Sequence, residues 1–446
     1  MRVNIGSLRA TFLAFWISSL AQGAAPIIDG EFSDWSDRNI VARDEQGDAK
    51  ASFDITQVSA VTNGTELFLL FDTGSERNIQ SGDETDGTLK LVVGLPHSRQ
   101  LVIDFRAKTA TLESDSQESI RWSQLDFVCL PTYASDRYEL RMDLKELGVR
   151  VCDKIKIDFA GSDELSRPVS IVLKKGPTRR SNDTFAKPNA GEVRIANLNT
   201  LHQGLSDAGR SESIKRLLAA VQADVYTFQE EWDETEFRQA ARRVVPAEKI
   251  LNLHWYKGCG VATTLPLEPL VMAEAPGAAV AVTLPGQVHL VVVSTHLKCC
   301  GFAGSREDQR RVWQTQQLAE EIRRLRDGKF GDHLRESAVV IIGDYNLVGS
   351  RRPLEVLSGA GLDDWILTGL GGNTAATWRR VRDEDPFWPG RLDIVTYDRG
   401  RLQPVQGCVV DTTKMDGTLL ETLKLRSHDS WASDHLLVVA DFKLIQ

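Results

Sequence analysis

The stretch from Val339 to Asn346 constrains the fold of this chain more than any other. Its four consecutive β-favouring apolar residues, Val339–Ile342, predict a strand that is buried on both faces. Gly343 allows a tight turn, and Asp344 and Asn346 follow two residues apart. Side chains two residues apart in an extended chain point the same way, so this carboxylate and amide are expected to face one pocket. Such a pair suits a hard cation and a phosphate oxygen, although the same residue types also form ordinary turns.

The length of the chain, 446 residues, indicates two folded domains rather than one. Residues 1–25 are interpreted as a signal peptide, because two arginines accompany a short apolar run at 10–20 and small residues follow at 21–25. The run is about half as long as a membrane span requires, and a buried N-terminal helix is the alternative. We therefore expect export to a secreted or periplasmic location, in the manner of bacterial proteins, and no transmembrane segment.

Export would bring the cysteines into an oxidising compartment, where disulfide bonds form. The disulfide candidates are Cys129, Cys152, Cys259, Cys299, Cys300 and Cys408. The first two could pair with each other. The adjacent Cys299 and Cys300 either form a vicinal pair or bond elsewhere, with Cys259 as one candidate partner. The spacing leaves the connectivity open.

Residues 26–175 are predicted to form an antiparallel β-sandwich, because short alternating runs are separated by turn-forming residues. The predicted strands lie at 66–72, 88–94, 101–106, 138–144 and 154–160. The opening, Ile28-Asp29-Gly30 followed by Asp34-Trp35, resembles the start of family-nine carbohydrate-binding modules, which implies contact with a carbohydrate or a surface. We nevertheless expect Trp35 to plug the core rather than to form a sugar platform.

The remaining organisation follows from composition and pattern. Residues 26–175 contain more acidic than basic residues, which argues against polyanion binding by this half of a chain whose net charge is −9. Residues 176–190 are polar and lack periodicity, so they are predicted to form a linker. Residues 191–446 alternate strand and helix patterns, which indicates an α/β domain with helices outside its sheets. The predicted helices lie at 211–221, with Ser211 as the N-cap, and at 306–325.

Polar residues stand at the ends of the predicted strands of this second domain. They are Asn199, Glu230, His296, Asp344, Asn346, Asp393, Asp434 and His435. Each is costly to bury alone, so we expect them to converge on one solvent-accessible pocket. Taken singly, each has a structural alternative, such as a salt bridge between Asp393 and Arg391.

At these positions the sequence resembles the endonuclease/exonuclease/phosphatase family. The matching motifs, in the family's order, are 198–202, 228–230, 294–298, 342–346, 391–395 and 433–435. The resemblance implies a four-layered α/β sandwich, of the DNase I-like kind, and a divalent-metal-dependent phosphoesterase. It implies that Glu230 binds Mg²⁺, or Mn²⁺ or Ca²⁺ in its place, with Asn199 and Asp434 near the metal or its waters.

The resemblance also implies a role for five catalytic residues. Asp344 would orient or deprotonate the attacking water, and Asn346 would hold a phosphate oxygen. His296 and His435 would contact the phosphate, with Asp393 fixing the tautomer of His435. Phosphodiester hydrolysis needs an activated nucleophile, neutralised charge on the non-bridging oxygens and help for the leaving oxygen. The segment 257–266 lacks an arginine that the family often has there, which leaves the substrate contacts of that region open.

The leading hypothesis is a secreted, monomeric, metal-dependent phosphodiester hydrolase with nucleic acid as its substrate, hence a nuclease. Arg351 and Arg379, in loops after catalytic strands, are the candidates for binding substrate phosphates. One alternative keeps the chemistry and replaces the substrate with a phospholipid or a small phosphorylated compound, as in sphingomyelinase-like members. An exposed aromatic loop at 385–389 would favour lipid. The alternative from another class is a surface- or carbohydrate-binding protein with a degenerate catalytic domain.

Overall fold

The computed structural model of the chain describes residues 24–79, 87–176, 189, 191–247, 250–272, 275–370, 372–379 and 387–445. Almost all of the expected signal peptide, and most of the expected linker, lie outside the described residues. The described residues form four β-sheets, two from each half of the chain.

The first half forms two antiparallel sheets with one short helix. Its elements are β1 (Ile40–Arg43), β2 (Gln57–Asn63), β3 (Glu66–Arg77), β4 (Leu89–Leu95), β5 (Arg99–Asp104), β6 (Thr109–Glu113), β7 (Gln117–Ile120), α1 (Trp122–Leu125), β8 (Val128–Leu130), β9 (Ser135–Asp143), β10 (Lys154–Gly161) and β11 (Val169–Val172). The strand orders are β1-β2-β3-β9-β8 and β11-β10-β4-β5-β6-β7. Alternate residues of β4 are buried between the sheets, as the period of a half-buried strand requires. The predicted antiparallel β-sandwich is confirmed.

The second half forms two six-stranded sheets with helices. Its elements are β12 (Glu192–Asn199), α2 (Ser211–Val221), β13 (Val225–Gln229), α3 (Glu234–Val244), β14 (Asn252–Tyr256), β15 (Cys259–Thr263), β16 (Leu267–Leu270), β17 (Gly277–Leu284), β18 (Val288–His296), α4 (Arg306–Arg326), β19 (Ala338–Asp344), α5 (Arg352–Gly359), β20 (Leu362–Trp365), β21 (Asp393–Asp398), β22 (Leu402–Val410), α6 (Gly417–Leu423) and β23 (Leu437–Leu444). The strand orders are β14-β15-β13-β12-β23-β22 and β16-β17-β18-β19-β21-β20.

These elements form four layers. The apolar faces of α2 and α3 pack on one sheet, and those of α4 and α5 pack on the other. Strand β19 shows why its sequence is apolar throughout. Val340 and Ile342 lie in the core between the two sheets, whereas Val339 and Ile341 lie in the core shared with α4. The predicted four-layered α/β sandwich is confirmed, and so is the strand buried on both faces.

The helix termini include one corrected prediction. Helix α2 begins at Ser211, but its N-cap is Arg210. The side chain of Asp207 accepts hydrogen bonds from the backbone amides of Gly209 and Arg210. These amides, just before the helix, therefore have an acceptor, and a serine side chain is not needed as the cap. No helix in the described part of the chain has the length and apolar character to cross a membrane.

The opening motif of the first half, residues 28–35, makes contacts within the protein. The buried carboxylate of Glu139 accepts hydrogen bonds of 2.7 Å each from the amides of Asp29 and Gly30 and from Nε1 of Trp35. Next to it, Ile28 exchanges backbone hydrogen bonds with Asn373 and Ala375 of the second half, at 2.8 and 2.7 Å. Trp35 is half-buried, so these contacts agree with the structural role expected for it.

A second connection runs in the opposite direction. Trp388, from the second half, is 0 % exposed and packs in the core of the β-sandwich. Phe387 is also buried, beside Trp378 and Leu392. The idea of an exposed aromatic patch is therefore wrong for these two residues, because they fill cores; residues 385 and 386 lie outside the described residues.

The cysteines differ from one expectation. Cys129 is buried in β8 and Cys152 is exposed in a turn, and neither forms a disulfide bond, so the suggested pairing of the two is not formed. Cys259 and Cys408 are also outside any disulfide bond among the described residues. Cys299 and Cys300 form the vicinal pair, next to Val348 and Trp378.

Candidate active site

Strand register brings the predicted site residues to one edge of the two C-terminal sheets. Parallel strands β12 and β13 place Asn199 opposite Gln229, which precedes Glu230. In the other sheet, parallel strands β18 and β19 place His296 opposite Asp344, and β21 places Asp393 on the other side of Asp344. The parallel strands end at this edge and the antiparallel strand β21 begins there, so the side chains at these strand ends lie together.

Glu230 and Asp344 face each other across the amide of Asn199. Nδ2 of Asn199 donates to Oε1 of Glu230 and to Oδ2 of Asp344, both at 3.1 Å. With the ring of His296, the two carboxylates offer ligand atoms that all lie within 4.8 Å of one another. Divalent cations such as Mg²⁺ and Ca²⁺ prefer oxygen ligands, carboxylates above all. The residues at this position therefore fit a divalent cation.

The ionisation of Glu230 also suits a cation. Burial acts to raise the pKa of Glu230, but His296, the Asn199 amide and the backbone amide of His202 together bring that pKa below its usual value. A carboxylate with a lowered pKa stays charged at neutral pH.

Asp344 is 2 % exposed and is held by the residue that the sequence pairs with it. The backbone amide of Asn346 donates to Oδ1 of Asp344 at 2.9 Å, and Nδ2 of Asn346 donates to Oδ2 at 3.0 Å. Asn346 has a φ of 47°, a left-handed conformation that Asn adopts more readily than most residues. Burial raises the pKa of Asp344, against the opposing effect of His435 and His296. A raised pKa makes Asp344 a better proton acceptor for an attacking water.

His435 and Asp393 form a buried pair. Nδ1 of His435 lies 2.8 Å from Oδ2 of Asp393, while Nε2 lies 3.7 Å from Oδ2 of Asp344. Because a carboxylate only accepts, Nδ1 carries the proton of this hydrogen bond. Burial alone would lower the pKa of His435, but the carboxylates of Asp393 and Asp344 raise the pKa to about 10. A protonated His435 has an N–H on Nε2 as well, directed to the side where Asp344 lies.

His296 stands beside an exposed tryptophan. The rings of His296 and Trp232 have centroids 5.9 Å apart, and Trp232 is 49 % exposed. Gly258 permits this position of the indole, because a Cβ at residue 258 would lie 2.5 Å from Cε3 of Trp232. Trp232 was not predicted from the sequence, although it stands two residues after Glu230.

Asp434 lies slightly apart from the paired carboxylates. Its carboxylate is 3.3 Å from Nε1 of Trp378 and 3.4 Å from the hydroxyl of Ser433. It does not belong to the group of ligand atoms that Glu230, His296 and Asp344 form in the described residues. Its predicted place near the metal stays a prediction.

The two predicted phosphate-binding arginines make contacts with protein groups. Arg379 lies 3.4 Å from the carboxylate of Asp411 and donates to the carbonyl of Ser430, in the segment that leads to Asp434. Arg351 is exposed and lies 3.9 Å from Glu31 of the first half. These contacts give Arg379 a supporting position, and the substrate-binding role of both residues stays a prediction. Arg391 pairs with Asp364 and not with Asp393, which removes the salt-bridge alternative for Asp393.

The contacts that several supporting residues make were not foreseen from the sequence. Asn197 donates to Oδ1 of Asp393 at 3.2 Å, and its own Oδ1 accepts from Gln229 at 2.8 Å. The hydroxyl of Thr377 accepts from the amide of Asp393 at 2.8 Å, and that of Ser433 donates to the carbonyl of Asn199 at 2.7 Å. The spacing of Asn197 and Asn199, two apart in one strand, was a usable signal for the first contact.

The large cavity of the molecule is elsewhere. A cavity of about 1250 Å³ lies between the two halves, lined by residues such as Trp122, Arg141, Arg379 and Lys414. Several of its charged groups are paired with one another, for example Arg141 with Glu66 and Asp126. The chemistry described above is therefore concentrated outside this cavity.

Comparison with known proteins gives one family. The chain matches the Endonuclease/Exonuclease/phosphatase family over residues 196–435, which is more than half of its length. No curated protein matches it.

Solved structures match over a little more than half of the chain. The human Nocturnin catalytic domain with bound sulfate is 18% identical, with a TM-score of 0.38, over 57% of this chain and 95% of that one. TDP2 of D. rerio complexed with a single-strand DNA product is 16% identical, with a TM-score of 0.40, over 56% and 98%. Sphingomyelinase C from Streptomyces griseocarneus is 17% identical, with a TM-score of 0.38, over 56% and 99%.

Proposed function

Because the chain belongs to the Endonuclease/Exonuclease/phosphatase family, and is therefore a phosphoesterase, we propose that it is a divalent-metal-dependent phosphodiester hydrolase acting on nucleic acid. One observation supports this proposal above the others. Asn199 and Asp344 end two different strands, Glu230 directly follows a third, and the three meet at 3.1 Å contacts beside the His435–Asp393 pair. The carboxylates, amides and histidines of the motifs lie together, which argues against a degenerate catalytic domain.

Metal binding is assigned in this proposal to Glu230 and Asn199, with Asp434 nearby. Mg²⁺ is the proposed ion, since its preference is for carboxylate and other oxygen ligands. When bound, such an ion neutralises charge on the phosphate and lowers the pKa of water.

The chain's own residues perform the other steps. Asp344 orients the attacking water and accepts its proton, with Asn346 holding Asp344 through two hydrogen bonds. His435, protonated and fixed by Asp393, donates from Nε2 to a non-bridging oxygen, where negative charge grows in the transition state. His296 contacts the phosphate from the side of β18. Removing one such donor typically costs about 2.7–4 kcal/mol of activation free energy.

The substrate class is proposed from the surroundings of His296. Trp232 presents an exposed ring beside a phosphate-contacting histidine, and an aromatic ring in that position stacks on a nucleobase. The buried Trp388 removes one basis for a lipid substrate. We further propose an exported monomer, in which the vicinal pair Cys299–Cys300 is a disulfide bond.

The test is hydrolysis by the purified protein in Mg²⁺ or in EDTA. Plasmid DNA, RNA, sphingomyelin and bis-(p-nitrophenyl) phosphate are compared in parallel. We expect metal-dependent cleavage that Asp344→Asn abolishes, and full activity in Asp363→Asn, whose exposed carboxylate lies on the outer strand β20. Preference for sphingomyelin would replace nucleic acid with lipid as the substrate, and turnover in EDTA equal to that in Mg²⁺ would refute the metal requirement.

A further inference from the structure

The β-sandwich contacts two loops that hold or adjoin proposed catalytic residues. One loop, residues 345–350, contains Asn346; the other, residues 387–392, leads directly into Asp393. The hydroxyl of Thr132, between β8 and β9, lies 2.7 Å from the carbonyl oxygen of Leu347 and 3.1 Å from that of Arg391. Thr132 is 3 % exposed. A single buried hydroxyl of one domain therefore joins the two loops of the other.

The loop 345–350 depends on the sandwich for its hydrogen bonds. Three of its consecutive carbonyls, those of residues 347–349, accept from the sandwich. Their donors are the hydroxyl of Thr132, the side-chain amide of Asn78 and the backbone amide of Ala134, the last at 2.8 Å. Residues 345–350 belong to no helix or strand, so these carbonyls lack the partners that regular structure would supply.

The loop 387–392 is joined to the sandwich in two further ways. Trp388 is inserted into the sandwich core. Gly390 lies directly against the methyl group of Thr132, because a Cβ added at residue 390 would collide with Cγ2 of Thr132. The carbonyl of Gly390 accepts from the amides of Thr377 and Trp378, at 2.9 and 3.0 Å, and Thr377 in turn holds the amide of Asp393.

We propose that Thr132 is a positioning residue of the active site, through which the β-sandwich sets the places of Asn346 and Asp393. This inference rests on the proposed function. Asn346 holds Asp344, and Asp393 holds His435. The two loops therefore determine the positions of the proton acceptor, Asp344, and of the residue that donates a hydrogen bond to the phosphate, His435. A hydroxyl has one proton, so the two carbonyls share it, and its removal leaves two buried carbonyls without their donor.

The kinetic consequence is specific. Misplacing catalytic groups by about 1 Å can lower a rate about 100-fold. Thr132→Val keeps the shape of the side chain and removes its proton. We expect kcat to fall about 10- to 100-fold, with KM within about two-fold, because neither loop carbonyl is a substrate contact. Thr132→Ser keeps the hydroxyl, and is expected to retain at least about a third of the activity.

A matched control lies in the same domain. Thr73 is 0 % exposed, and its hydroxyl also lies near two carbonyls, those of Ser75 at 3.0 Å and Asp136 at 3.1 Å, both within the sandwich. Thr73→Val therefore removes an equivalent buried hydroxyl without touching either catalytic loop. We expect it to lower the melting temperature as much as Thr132→Val does, and to leave kcat unchanged.

A second variant tests the contact from the other loop. Gly390→Ala should lower kcat as Thr132→Val does, because its methyl group meets Cγ2 of Thr132. Adding Thr132→Ser removes Cγ2 and keeps the hydroxyl, so the double variant should regain most of the activity. Recovery of this kind would show that the loss in Gly390→Ala comes from the contact with Cγ2 of Thr132, and its absence would contradict that contact as the cause.

The outcomes separate this inference from the proposed function. Loss of activity in Asp344→Asn together with wild-type kcat in Thr132→Val would overturn the positioning role and leave the proposed hydrolase intact. If the wild-type protein hydrolyses none of the substrates, the positioning role of Thr132 is tested by hydrogen exchange measured with mass spectrometry. Peptides that cover 345–350 and 387–393 should exchange faster in Thr132→Val than in Thr132→Ser or Thr73→Val, and equal rates would overturn the proposal.

Discussion

The indole ring of Trp388 packs edge-on against the ring of Phe105, with the ring centroids 5.5 Å apart and the planes at 71°. Phe105 follows β5 in the sandwich, whereas Trp388 stands five residues before Asp393. The indole is 0 % exposed and its Nε1 has no hydrogen-bond partner in the described residues. Packing alone holds it, so the core of one domain is completed by a side chain of the other.

Trp388→Ala should therefore destabilise both halves together. Truncating a buried tryptophan typically costs about 3–5 kcal/mol of unfolding free energy. Urea unfolding followed by fluorescence and by circular dichroism should show one coincident transition in the wild type and a lower midpoint in the variant. Trp431→Ala is the control, because Trp431 is 53 % exposed and its loss should change stability by about 0.5 kcal/mol or less. Two separate transitions in the wild type would contradict this expectation.

The buried pair of His435 and Asp393 makes a prediction about catalysis. In Asp393→Asn, the side chain no longer supplies the charge that keeps His435 protonated, nor a purely accepting partner for Nδ1. We expect kcat to fall at least about 100-fold, and the melting temperature to fall as well, because the buried His435 loses its charged partner. Steady-state hydrolysis of bis-(p-nitrophenyl) phosphate measures the effect, with Asp363→Asn as the control. A variant that kept half of the wild-type kcat would show that His435 works without Asp393.

The sequence predicted much of the site because local patterns determine it. The apolar run in β19 predicts burial on both faces, and polar residues at the ends of apolar β runs are costly to bury singly, which predicts that they share one pocket. That reasoning located Glu230, His296, Asp344 and Asp393 without a structure. The contact of Asn197 with Asp393 could have been predicted as well, because Asn197 lies two residues before Asn199 in the same strand.

Contacts between the two domains were not predictable in this way. The hydroxyl of Thr132 and the carbonyl of Arg391 are 259 residues apart in the sequence, and no periodicity says which surface covers a loop carbonyl. Trp388 was not predictable for the same reason. From the sequence alone, an aromatic residue in a polar segment is equally compatible with an exposed patch and with insertion into the core of the other domain. The N-cap of α2 was mistaken because Asp207, outside the helix, satisfies the preceding amides.

The opening motif makes a prediction about pH. Burial raises the pKa of Glu139 to about 8, in spite of the three donors around the carboxylate. Between the ordinary pKa of 4.5 and about 8, the folded protein keeps a proton on Glu139 that the unfolded chain has released. The free energy of unfolding should therefore fall as the pH rises through this window, by up to about 1.4 kcal/mol per pH unit.

Glu139→Gln isolates this contribution. The variant lacks the titrating group, so its melting temperature should fall less than that of the wild type between pH 5 and pH 8. The raised pKa of Asp29, about 6 and also caused by burial, acts in the same direction. Parallel curves for the two proteins would mean that the three hydrogen bonds keep Glu139 ionised in the folded state.

Trp232 makes a prediction about the substrate. If its exposed ring stacks on a base while His296 contacts the phosphate, binding of base-bearing substrates should depend on it, and stacking on one base contributes about 1–3 kcal/mol. Trp232→Ala should raise KM for a dinucleotide by about 5- to 150-fold and leave KM for the abasic counterpart unchanged. Trp232→Phe keeps a ring and should recover most of the difference.

The comparison with Trp431→Ala makes this test specific. Trp431 is as exposed as Trp232, but its ring contacts are with His428 and Arg379, not with His296. We expect this variant to treat the two substrates as the wild type does. An equal rise in KM for both substrates in Trp232→Ala would mean that the indole acts only by supporting His296. Loss of binding to sphingomyelin vesicles in that variant, with unchanged dinucleotide kinetics, would instead assign the ring to a lipid surface. A stacking role requires the base-dependent difference, because the base is the only group that the two substrates do not share.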